Sequence, residues 1–257
     1  MRITSIALFA ALSSPAFAED EPTKVTHPLS AEMRKTLRAQ HEAVLKQNPV
    51  EDGKKLSVNQ HSRRGDALFF LGRFDECVEE YEAMVKLNPS LDASHWRLGI
   101  AYFFAKNPKK GAAQFEKYHT FDDVDRENGI WRYLCQYHAT DAKTAKKELL
   151  KYEKDDREPF PAVYKLFDDS LSPEQVLAKI PKDLPETQKD MRLFYSELYI
   201  GMHLVVKKKP YQAARYLALA TSRKWPQRAG FGPNYMWHVG RVQLEQLLKA
   251  KKQSTDR

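Results

Sequence analysis

The chain has 257 residues, of which 42% are apolar and 30% charged, too apolar for a disordered chain and enough for one large domain or a short repeat array. Its 42 lysines and arginines against 34 aspartates and glutamates leave a formal charge of +8, which suits an acidic partner or an anionic surface. The basic residues are spread along the whole chain, so no patch of the kind a nucleic-acid binder needs stands out. Glycine is scarce, at 10 residues, while Ala, Leu, Lys and Glu abound. Helix formers dominate, no alternating strand bounded by Asn-Gly or Asp-Gly is found, and the expected class is all-α.

Residues 1–18 read as an export signal. Met1-Arg2 supplies a positive charge, Ile3 to Leu12 an apolar run, and Ala16 and Ala18 the small residues that a signal peptidase's pockets accept. Cleavage is expected after Ala18, leaving a periplasmic or secreted, soluble protein of net charge +7. No later stretch reaches the ~20 apolar residues needed to span a bilayer, and no cysteine follows the apolar run to carry a lipid anchor. Residues 19–29 read as a flexible linker. Residues 30–48 read as a separate amphipathic helix, with Met33, Leu37, Val44 and Leu45 at helical spacing and Asn48-Pro49 as its stop. Two arrangements are open for it: a cap on the downstream helices, or a pairing element in a homodimer.

From residue 56 the chain repeats itself at a spacing of 34 residues. Gly65 recurs as Gly99, Leu68 as Tyr102, Phe69-Phe70 as Phe103-Phe104, Tyr81 as Phe115 and His61 as His95. Helices approach closely only where one side chain is minimal, which places Gly65 and Gly99 at crossings, with Cys77 and Gly111 in the matching small slot of the second helix. Asn88-Pro89 stops the first unit. A looser third unit places Trp131, Leu134, Cys135 and His138 on its first helix and Ala145, Leu149 and Tyr152 on one face of its second. Ser172-Pro173-Glu174-Gln175 predicts a capped short helix to about Ile180, and Pro181 to Pro185 a linker. A last unit has Gly201 and Leu204, a turn at Pro210, then Ala213, Leu217 and Ala220. After a loop containing Gly230, Gly232 and Pro233, Asn234 to Leu248 predicts a terminal helix covering the end of the stack, and 249–257 a basic tail.

These slots resemble the tetratricopeptide repeat. The resemblance implies an all-α, right-handed solenoid of helix-turn-helix units over residues 56–248 that works by binding other proteins. Trp131-Arg132-Tyr133-Leu134, the stretch from Asp168 to Gln175, and Phe194-Tyr195 leading to Tyr199-Ile200-Gly201 further resemble, in the same order, the new lipoprotein I family. That resemblance covers roughly residues 60 to 248 and implies a dimeric envelope adaptor that brings cell-wall hydrolases to a protease. The lipid-attachment cysteine of that family has no counterpart here.

Signatures of chemistry are weak. Cys77 and Cys135 fall in small slots of different units and read as buried packing thiols rather than a disulfide. The eight histidines form no His-x-x-x-His pair, so no metal or other cofactor is expected. Asp122-Asp123-x-Asp125 and Asp155-Asp156 sit at turns, where Asp is locally favoured, and no nucleophile motif or phosphate loop accompanies them. No catalytic residue is assigned and an enzyme is not expected. The expected site is the concave face: Asn59, Ser62, Asp66 and Phe69 of the first unit with Trp96, Ile100 and Phe103 of the second, an apolar groove for a protein segment. The chain's own terminal helices are the competing occupant of that groove. An alternative function is binding of an acidic envelope polymer, for which Lys207-Lys208-Lys209 and Lys249 to Lys252 are the densest basic clusters.

Overall fold

The structure, a computed structural model, describes residues 25–154 and 156–255, and among these it is all-helical, with no strand. The export signal 1–18, the first part of the 19–29 linker, Asp155 and the end of the basic tail lie outside the described residues. Helix α1 (Ala31–Gln47) starts where Ser30 accepts from the Met33 amide at 3.1 Å. Then come α2 (Val58–Phe70), α3 (Phe74–Leu87), α4 (Trp96–Phe104), α5 (Pro108–His119), α6 (Arg126–Ala139), α7 (Ala142–Lys147), α8 (Phe160–Phe167), α9 (Pro173–Ala178), α10 (Glu186–Val206), α11 (Pro210–Ser222) and α12 (Phe231–Thr255). Both α2 and α9 begin in complete capping boxes, Ser57 with Gln60 and Ser172 with Gln175.

Three hairpins share one construction. In α2/α3, α4/α5 and α10/α11 a glycine of the first helix faces a bulky side chain sixteen positions on: Gly65 with Tyr81, Gly99 with Phe115, Gly201 with Leu217. A Cβ on Gly99 would stand 2.5 Å from Phe115, and one on Gly201 2.7 Å from Leu217. The turns match as well. Gly72, Lys106 and Lys208 take φ of 78°, 59° and 57°. The next amide in each case reaches back to close the helix end: Arg73 to Leu68 O, Asn107 to Tyr102 O, and Lys209 to Leu204 O. This is the left-handed C-terminal cap that glycine adopts without strain and lysine does not. The expected outcome for Gly99→Ala is a loss of about 1–3 kcal/mol, because the fully buried Phe115 ring has nowhere to go. Gly232→Ala, with open space around its added methyl, should leave the urea midpoint unchanged or slightly raised. Equal midpoints for the two variants would contradict the close crossing.

Successive helices pack on one another from α1 to α6, and α10 then packs on both α6 and α8, and α12 on both α11 and α2. The last helix is thus carried back to the first hairpin. Cys77 and Cys135 are free and buried, Cys135 Sγ lying where a Cβ on Gly111 would come within 2.6 Å. No helix among the described residues is long and apolar enough to cross a membrane.

Three expected boundaries move, the first being the end of α12, which runs on to Thr255 through positions expected as the 249–257 basic tail. The second helix of the third unit, expected through Tyr152, ends at Lys147, and Leu149 and Tyr152 lie beyond it. Its freed carbonyls find donors elsewhere, Glu148 O from Arg132 at 2.6 Å and Leu150 O from the Tyr164 hydroxyl at 2.7 Å, so the chain leaves the helix without orphaning them. Conversely, Gly232 and Pro233, expected in a loop, form the first turn of α12. There the missing amide of a proline costs nothing, since the first four amides of a helix have no partner within it.

Candidate functional site

The seven residues of the expected groove do not form one open surface. Phe69 is 0% exposed, so the expectation that it faces a partner is corrected, and Ile100 is only 1% exposed. The reason is α12. Its Tyr235 stacks on Phe69 with centroids 5.2 Å apart and meets Trp96 edge-on at 5.0 Å. Its His238 stacks on Phe70 at 4.0 Å, and Arg241 donates to Phe70 O at 2.6 Å. Phe69 also meets Phe74 and Phe104, at 5.5 and 5.1 Å. Burial of one such ring contributes about 2 kcal/mol, which favours the chain's own helix as occupant over an external segment.

Asp66 and Ser62 hold structure together rather than facing a partner. Asp66 accepts from the Tyr81 hydroxyl and from Arg97, both at 2.5 Å, and Arg97 also reaches Ser62 Oγ at 3.1 Å. Asn59 is exposed at the start of α2. Phe103 is half-buried, between Trp131 and His138 at 5.6 Å from each. Of the seven, Trp96 and Ile100 border the space that remains open.

That space is a cleft of about 380 Å³ among α4, α6, α10 and α12. Trp96, Trp131, Trp225, Tyr118 and Tyr195 supply its aromatic lining. Its polar end is set by the start of α6. Asp125 caps that helix by accepting from the Glu127 amide at 3.0 Å, and Glu127 lies in the first turn, where a carboxylate is favoured by the helix dipole. Arg157, from the loop before α8, reaches Glu127 at 2.6 Å, Asp156 at 3.2 Å and Asp125 at 3.3 Å. Its guanidinium lies 4.4 Å from the Phe160 ring centre and 5.7 Å from that of Tyr195. Behind it the Trp131 indole donates to the Tyr199 hydroxyl at 3.1 Å, and that hydroxyl donates to Glu127.

Burial sets the ionisation here. It pushes Glu127 up to about 7, against the pull of Arg157 and with the help of Asp125. Burial likewise raises Asp125, with Arg157 opposing. Tyr118 is pushed up to about 12, first by burial and then by Asp125 and Asp122. The cleft therefore offers rings, an oriented carboxylate pair and one half-exposed guanidinium, an arrangement fitted to hold a ligand by stacking and charge.

Sequence reasoning missed most of this site. Trp131 fits a first-helix packing slot, Trp225 marks the end of a repeat and Asp125 reads as a turn residue; only the fold brings them to one cleft. The available signal was the Asp125-x-Glu127 pair ahead of an apolar helix, an N-terminal cap whose second carboxylate has no local partner. A second cavity, of about 620 Å³, opens between α1 and α12 and collects Arg34, Lys35, Arg38, Arg241 and Lys249 with Glu245. The expected basic cluster at Lys207 is partly engaged, since Lys207 pairs with Asp169 at 2.8 Å.

Among known protein families, no family model matches the sequence.

Proposed function

We propose that this chain is an exported scaffold of the tetratricopeptide type that binds a segment of another protein in the cleft among α4, α6, α10 and α12. The observation that carries the reading is that cleft, a concave aromatic space left open between helical hairpins after α12 has filled the neighbouring one. The repeat assignment is supported by three hairpins with the same glycine crossing and the same left-handed turn. Export is supported by residues 1–18, and a role in the envelope by the resemblance to the new lipoprotein I family, which would make the bound proteins cell-wall hydrolases or their processing partners. Aromatic anchors in a desolvated pocket are where binding energy concentrates. A pairing of two copies through α1 would use its exposed surface, which includes Met33.

The test is a photo-cross-linking residue placed at Tyr195 in cells, with the same residue at exposed Asn59 as control. Discrete protein adducts from position 195 alone are expected, and Trp96→Ala with Trp225→Ala should weaken the purified interaction at least about 30-fold, the effect of losing about 2 kcal/mol. Identical adducts from both positions would remove the cleft from the account.

The second reading, an acidic envelope polymer, is favoured by the cavity between α1 and α12, where Arg34, Lys35, Arg38 and Lys249 form no ion pair among the described residues. Binding there must collapse as salt shortens the screening length to about 3 Å near 1 M. Segment binding in the aromatic cleft must persist.

A further inference from the structure

We propose that the cleft is selective for a cation, so that the bound segment is anchored by a lysine or arginine side chain seated among Trp96, Trp131, Trp225 and Tyr195 with its charge toward Asp125 and Glu127. This rests on the cleft being the binding site, and it specifies the chemistry of the group that enters.

Charge points there first. Among the described residues, three carboxylates, of Asp125, Glu127 and Asp156, pair with the one guanidinium of Arg157. That guanidinium cannot neutralise all three, and its side chain remains 46% exposed. Burial raises both Glu127 and Asp125, and the nearby guanidinium of Arg157 opposes it in each case. This deficit runs against the chain as a whole, which carries a surplus of eight basic residues. A local acidic site in a basic protein is therefore a feature of the cleft and not of the composition.

The lining agrees with the charge. Indole and phenol rings attract a cation through their negative faces, Trp most strongly, and more so where water is excluded. Three of the chain's four tryptophans line this one space. An anionic ligand would meet the same rings and two bordering carboxylates, Asp125 and Glu127, with only the guanidinium of Arg157 to answer it.

An unmet polar group lies beside both. The side-chain nitrogen of Asn128, a residue only 4% exposed that borders the cleft, has no hydrogen bond of normal length and angle, although it lies close enough to the Tyr118 hydroxyl to ease its ionisation. A buried amide of this kind wants an acceptor. The main-chain carbonyl of an inserted residue supplies one, next to the carboxylates that take its side-chain charge.

The experiment follows the four indole N–H signals in nitrogen–proton NMR spectra of the protein. Trp237 is the internal reference, since it donates to Thr221 O at 2.9 Å and does not line the cleft. The probes are the N-acetyl N-methylamides of lysine and arginine, and that of norleucine, which has the lysine stem without the charge. Lysine and arginine probes should shift the signals of Trp96, Trp131 and Trp225 at concentrations at least tenfold below norleucine, with Trp237 unmoved. Asp125→Asn, which keeps the helix cap, should erase most of that difference. Equal response to norleucine overturns the cation proposal and leaves the protein-segment reading standing. A response to an uncharged oligosaccharide such as cellotriose in preference to the lysine probe overturns it as well, in favour of a glycan. No response to any probe removes the cleft as a binding site and with it both readings.

Discussion

Replacing Arg97 with methionine should destabilise the protein by about 3–5 kcal/mol, more than the change at the Gly99 crossing. Arg97 on α4 is the only cation bonded to the buried carboxylate of Asp66 on α2 among the described residues, at 2.5 Å. Its guanidinium also lies 5.2 Å from the ring centres of Tyr81 on α3 and Phe231 on α12. One side chain therefore ties the first two hairpins to the returning terminal helix. Burial already raises the Asp66 pKa even with Arg97 present. Without the guanidinium, a charge would be stranded beside Tyr81, which is fully buried. A chain of this size loses about 2–4 °C of melting temperature per kcal/mol, so a fall of roughly 10 °C is expected.

The double variant Asp66→Leu/Arg97→Met separates the two components of that loss. Most of the cost of breaking a buried pair comes from the uncompensated survivor, and replacing both partners with apolar groups of similar size is often near neutral. The double variant should recover more than half of the loss in urea unfolding, giving a coupling of about 2 kcal/mol or more in the cycle. Strict additivity would mean that Arg97 acts through its ring contacts alone. Either outcome bears on the groove first read from the sequence, because this ion pair and Tyr235 occupy the place where a partner was expected.

The fold was legible where local chemistry decides the outcome. The Ser172–Gln175 capping box and the glycine crossings at 65, 99 and 201 each depend on residues within twenty positions. Periodicity marked Phe69 and Ile100 as belonging to a helix face, but it could not say which element covers that face. The cover is α12, more than 130 residues along the chain, and its Tyr235 reaches Tyr81 at 3.3 Å between hydroxyls. The cleft was illegible for the same reason. Asp125, Arg157, Tyr195 and Trp225 come from four separate segments, and their meeting is a consequence of tertiary packing that no window of sequence contains. The third unit shows the opposite limit. Ala145, Leu149 and Tyr152 keep helical spacing, yet side chains from α6 and α8 claim the carbonyls that a continuing helix would have used.

Two neutralising substitutions should change stability with opposite pH dependence, and the signs follow from burial alone. His95 caps α4 through a ring nitrogen that accepts from the Leu98 amide at 3.2 Å, and burial lowers its pKa to about 4 from 6.5, with Arg97 adding to the effect. A histidine lowered in the folded state binds fewer protons there than in the unfolded chain. Its contribution is present above pH 6.5 and is lost as the pH falls toward 4. Glu127 is the reverse case, raised by burial to about 7 from 4.5, so its contribution is present below pH 4.5 and is lost as the pH rises through 7. Between pH 7 and pH 5 each linkage is worth about 2 kcal/mol, because a full proton of difference between the folded and unfolded chains changes stability by about 1.36 kcal/mol per pH unit. Asparagine at position 95 keeps a good helix cap, and glutamine at 127 keeps an acceptor for the Tyr199 hydroxyl. Urea unfolding at the two pH values should then show His95→Asn gaining about 2 kcal/mol on wild type as the pH drops from 7 to 5, whatever its cost at pH 7. Glu127→Gln should lose about the same amount on wild type over the same interval. Because each value is a difference from wild type at the same pH, the remaining histidines and carboxylates cancel to first order. A flat difference for Glu127→Gln would mean that its carboxylate is ionised throughout and fully compensated by Arg157, leaving no unmet negative charge in the cleft for a ligand to answer.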